Sequence, residues 1–189
     1  MKAGWLLAGS LAVFAGAAIS TARPADSPVI VPRYTDDGRL VLPADYREWI
    51  FLSSGLGMSY RDASGDQFTN VFVTPAAYRE FLASGKWPEK TMFVVEEREA
   101  ASKGSINKGG HYQSELAGIG VEVKDAARFP EVWAYFTFGP HSQTARANPK
   151  SVCWQCHEEH AAVEHSFVQF YPTLEPIARK FLTYRESAR

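Results

Sequence analysis

Residues 132–139 read VWAYFTFG. Aromatic and β-branched residues fill the run, and Gly139 and Pro140 close it, so it is a strand. With a period of two, Trp133, Tyr135 and Thr137 share one face, and Ala134, Phe136 and Phe138 share the other. Either set reads as ordinary core before it reads as a cofactor wall. Working outward, ELAGIGVEV (115–123), TMFVVEER (91–98), QFTNVFVTP (67–75) and the stretch around Trp49–Leu52 are further strands. PAAYREFLASG (75–85) breaks the series as a helix, with proline in its first turn and Gly85 as its stop. ASKGSINKGGHY (101–112) is a polar, glycine-rich loop between two strands. After VWAYFTFG the chain predicts a loop over PHSQTARANPK, a helix from about Gln155 to His165, and a closing helix in LEPIARKFLTYRE. A run of strands with a few flanking helices and no repeated βα unit predicts an α+β domain on an antiparallel sheet.

The chain has 189 residues, 46% of them apolar, which suits one domain with a substantial core. Net charge is −1, and no basic excess marks a nucleic-acid partner. Lys2, the uncharged run AGWLLAGSLAVFAGAAI and the small residues STA form the three parts of an export signal. The apolar run is short for a bilayer span. The expected organisation is a signal peptide over 1–22, an extended lead-in over 23–41 and a domain over 42–189. The mature chain is then periplasmic, with no membrane attachment.

SVCWQCHEEH (151–160) holds the only two cysteines, Cys153 and Cys156, with His157 directly after them. C-x-x-C-H is the attachment signature of haem c. Two thiols add to the two vinyl groups, two intervening residues span them, and the next side chain lies under the iron. Attachment follows export, which agrees with the leader. Two rivals use the same residues. Zinc would need Cys153, Cys156, His160 and His165 to converge, but only three residues separate Cys156 from His160, too few for a finger loop. A dithiol redox motif belongs early in a parallel βαβ domain, and this one is late in a sheet of another kind. One haem c on Cys153 and Cys156, with His157 on the iron, is the reading carried forward. Counted along a continuous helix, His160 and His165 flank His157. Both are solvated polar residues before they are haem partners.

The sixth position of the iron separates an electron carrier from a ligand binder. Met58 is the only loop methionine of the mature chain, Met92 falls in a strand, and His111 and His141 sit in loops. None of the four is compelled to be a ligand.

Six segments, LPADYREWIF, FVTPAAYREF, KWPEKTMFVVEE, GVEVKDAARFP, WAYFTFG and CWQCH…FVQFYPTL, resemble in that order the cytochrome P-460 family over roughly residues 42–174. The resemblance implies export, one c-type haem, an antiparallel sheet and a homodimer. One branch of that family oxidises hydroxylamine and links a strand lysine to the haem edge. The other lacks the link and binds nitric oxide at an open, apolar distal site. Aligned without gaps, Val95 stands at the lysine position and Thr69 near a basic distal residue of some members. Lys90, Lys103 and Lys108 lie in turns or loops and read as surface residues. Glu96 and Glu97 are candidates for a distal carboxylate, Glu97 being the more solvated. The expectation is an open distal site walled by Phe93, Val95 and Thr69 that binds a small diatomic or nitrogenous ligand. The alternatives are an oxidoreductase acting on hydroxylamine or nitric oxide, and a six-coordinate carrier serving a redox partner protein.

Overall fold

The computed structural model describes residues 29–58 and 66–187. The leader expected over 1–22 lies outside them. Five strands form one antiparallel sheet: β2 (Ile50–Leu56), β3 (Gln67–Val73), β4 (Met92–Ala101), β5 (Tyr112–Lys124) and β6 (Trp133–Phe138). Their spatial order is their chain order, so the sheet is a meander. β1 (Leu40–Val41) and β7 (Thr144–Ala145) form a second, two-stranded ladder. The α+β expectation holds, and the expected strands fall in place.

Both faces of the sheet carry core. Phe93, Trp133 and Tyr135 pack on one side with Phe81 and Trp87. Met92, Val94, Ala134, Phe136 and Phe138 pack on the other with Leu40 and Trp49. The alternation in VWAYFTFG therefore divides two apolar layers, and a strand covered on both faces needs no polar phase.

The helix α1 (Pro75–Ser84) starts on proline and ends at Gly85, whose φ of 69° is left-handed. A Cβ there would stand 2.6 Å from the Cβ of Phe181, so glycine is required on two counts. Two expectations need correction. The helix α2 (Trp154–His160) stops five residues short of His165. The Gln169 side chain caps its end, donating to the His160 carbonyl at 2.8 Å and accepting from the Ala162 N–H at 3.0 Å. The helix α3 (Glu175–Lys180) also ends early. Leu182 turns left-handed, and Thr183 donates to the Gly85 carbonyl at 2.8 Å. The end of the lead-in is β1, with Leu40 fully buried. Among the described residues no helix is long and apolar enough to cross a membrane.

Glu96 faces away from the candidate site described below. Buried, it accepts hydrogen bonds from Arg98 at 2.5 Å, from Arg47 at 2.8 Å and from the Tyr46 hydroxyl. Burial alone would raise its pKa, but these donors outweigh burial and hold it below the ordinary value. A depressed folded pKa stabilises above the unfolded carboxylate pKa, and that contribution is lost as pH falls through the folded value. Glu96→Gln is expected to cost about 3 kcal/mol near neutral pH, with the difference from wild type shrinking in acid. Urea unfolding across a pH series checks this, and a pH-independent difference would contradict it.

Candidate functional site

A cavity of about 730 Å³ opens on the Phe93 face of the sheet, beyond the packed layer. That is the size of a small-molecule or cofactor pocket. The sheet supplies one wall through Thr69, Val71, Val95, Glu122 and Tyr135. The segment from α2 onward supplies the opposite wall through Cys153, His157, Phe167 and Tyr171. The small residue Gly120 leaves that sheet wall open, because a Cβ there would meet only Val95 at ordinary contact distance.

The His157 ring sits 4.3 Å from the Tyr135 ring and 4.5 Å from the Phe167 ring, measured between centroids. Its Nδ1 is 2.8 Å from the backbone carbonyl of His165. A carbonyl only accepts, so Nδ1 carries the proton and Nε2 keeps a lone pair. Nε2 lies on the cavity side, 3.8 Å from Oε1 of Glu122. Burial pushes His157 down to about 4 and Glu122 up to about 8. Both are neutral near pH 7, so their contact is not an ion pair.

Cys153 lines the cavity and accepts from the Asn148 side chain at 3.4 Å. Cys156 is half-buried, three residues along, and the two thiols are free. Burial, then the Glu159 carboxylate and Cys153, raise the Cys156 pKa, which suits no activated dithiol. Cys153, Cys156, His160 and His165 do not converge: among the described residues no group of three or more metal-binding side chains is placed to hold an ion. His160 is exposed, and the His165 ring packs on Trp154 and Trp133. What reaches His157 from His165 is the backbone.

The residues present fit a haem. A neutral, oriented imidazole and a thiol share one wall of a ring-lined cavity. The Tyr135 hydroxyl, on a residue 6% exposed that lines the cavity, has no hydrogen-bond partner among the described residues. A bound group with acceptor atoms would satisfy it.

Of the expected distal residues, Val95 and Thr69 line the cavity. Phe93 does not. It has the right face but the wrong end of β4, closed in by Trp87 at 4.7 Å and by Trp133 and Tyr171. Met58 lines the cavity, whereas Met92 is core. The wall is less apolar than expected, since Asp66, Glu97 and Glu122 all border it. Glu122 was missed because an alternating strand reads the same whether a carboxylate meets solvent or a cavity.

The sequence model of the family described as Cytochrome P460 matches residues 43–168. No curated protein matches the chain.

Proposed function

Because this chain belongs to the cytochrome P460 family, a family of haem-binding cytochromes, we propose that it is a periplasmic cytochrome with one haem c and an open distal site for a small ligand such as nitric oxide. Cys153 and Cys156 hold the haem through thioethers, and His157 binds the iron. One observation carries this reading. The Nδ1 proton of His157 is committed to the His165 carbonyl, so its Nε2 lone pair is presented to a cavity that Cys153 also lines. A haem there supplies an iron that changes oxidation state and accepts a small ligand.

The chain's own residues do the rest. Tyr135 and Phe167 bracket the imidazole, and burial keeps it unprotonated. Thr69, Val71 and Val95 make an uncharged stretch of wall, which suits a neutral diatomic ligand. Among the described residues no lysine lines the cavity. Lys90 is engaged by Asp125, while Lys103 and Lys108 are exposed. Val95 has no nucleophile to attach to a porphyrin edge. A homodimer and a redox partner protein complete the proposal.

A second reading, oxidation of hydroxylamine, draws on the carboxylates at the wall. Glu97 would serve as a proton acceptor.

Optical spectra of oxidised and reduced protein, with and without nitric oxide, test the proposal. The reduced protein is expected to show an ordinary c-type band without a strong red shift, and nitric oxide is expected to change it. Reduced protein inert to nitric oxide would instead mark a six-coordinate carrier, with Met58 as the candidate ligand. Turnover of hydroxylamine with an artificial acceptor, or a haem peptide joined to a lysine segment outside 150–160, would favour the second reading.

A further inference from the structure

The carbonyl that orients His157 belongs to a tight turn, and that turn is held from outside the site. Val163 and Ser166 face each other across it. The Ser166 N–H donates to the Val163 carbonyl at 2.9 Å, and the return bond is 3.3 Å. Between them Glu164 has a φ of 51°, a conformation uncommon for a residue with a side chain. Such a turn persists where its surroundings over-determine it.

Two anchors do so here. The Ser166 hydroxyl, fully buried, donates to the Val163 carbonyl at 2.8 Å and accepts from the Trp87 indole N–H at 2.6 Å. Trp87 is itself fixed, 2% exposed, against Phe81 and the edge of Phe93. The second anchor is Lys124 at the end of β5, which donates to the Trp87 carbonyl and to the Glu164 carboxylate, each at 2.7 Å. The indole, the lysine and the turn thus form a closed circuit. The only part of it that touches the site is the His165 carbonyl.

We propose that Trp87 and Ser166 are positioning residues that set the strength of the His157 imidazole as an iron ligand through the His165 carbonyl. The inference rests on the assignment of His157 as that ligand. A well-aimed acceptor on Nδ1–H leaves more electron density at Nε2, making the imidazole the more basic ligand and favouring ferric over ferrous iron. Releasing the turn lengthens or misaims that hydrogen bond and weakens the donor. Neither residue lines the cavity, so neither acts by touching a ligand.

Ser166→Ala removes the hydroxyl from the circuit. Trp87→Phe keeps an aromatic ring and removes the N–H. Asn70→Ala is the control. Asn70 is buried on the other face of the sheet and bonded to Ser54 and Gln113. It destabilises the fold without reaching the turn. The readouts are the haem midpoint potential and the ferrous iron–histidine stretching frequency by resonance Raman. Both clamp variants are expected to raise the potential and lower the frequency, and Asn70→Ala to change neither while lowering Tm. Clamp variants that lower Tm and leave both readouts at wild-type values overturn the proposal, as does an equal shift in Asn70→Ala. Where Ser166→Ala yields no folded protein, Trp87→Phe decides alone. His157→Ala run alongside separates the two levels. A wild-type signal surviving His157→Ala removes the ligand assignment and this inference with it. A signal lost in His157→Ala but unmoved by the clamp variants removes this inference only.

Discussion

Exported together with a haem-attachment system, the wild-type protein is expected to keep all its haem through denaturation and acid–acetone extraction. The paired variant Cys153→Ala, Cys156→Ala is expected to release it completely. Two thioethers resist conditions that break an iron–imidazole bond, so the contrast is all or none. Each single variant keeps one thioether and should still carry haem after extraction. The geometry motivates the test. Both thiols are free and half-buried, and Cys153 lies on the cavity wall. Extraction that strips haem from the wild type would end the covalent assignment while leaving family membership intact.

His157→Ala is expected to abolish the axial-imidazole signature of the iron, with His160→Ala and His165→Ala leaving it close to wild type. Three histidines lie within nine residues, but the structure gives them different work. The His160 side chain is 52% exposed. The His165 ring packs on tryptophans, and alanine at 165 retains the carbonyl that meets His157. Only His157 brings a ring nitrogen to the cavity. Magnetic circular dichroism or resonance Raman spectra of the three variants check this, and equal effects at all three positions would undo the assignment.

The strands were legible because their information is local. TMFVVEER and VWAYFTFG declare themselves by composition and period, and Gly85 declares a helix stop by its own backbone freedom. The short helices were not legible, because distant partners end them. α2 stops where Gln169 caps it, and α3 stops where Thr183 reaches back to Gly85. The cavity was legible in part. Alternation places Thr69, Val95 and Glu122 on faces, but position along the strand decides what they meet. The same face of β4 buries Phe93 in core and opens Val95 to the cavity. The pairing of His157 with a backbone carbonyl eight residues away leaves no mark in side-chain identity at all.

The meander also bears on how the chain is assembled. Every ladder of the main sheet joins strands adjacent in sequence. Each pairing therefore closes only the connection between neighbours in the chain, the longest being the stretch from Val73 to Met92 that holds α1, and no closure across the whole domain arises within the sheet. The strand wall of the cavity is complete by Phe138, before the chain reaches Cys153. The C-x-x-C-H segment follows the whole sheet in sequence and is held by one short helix and one turn. No ladder of the main sheet includes a residue of that segment, so the proposed attachment of haem to Cys153 and Cys156 would leave every strand pairing of the sheet untouched.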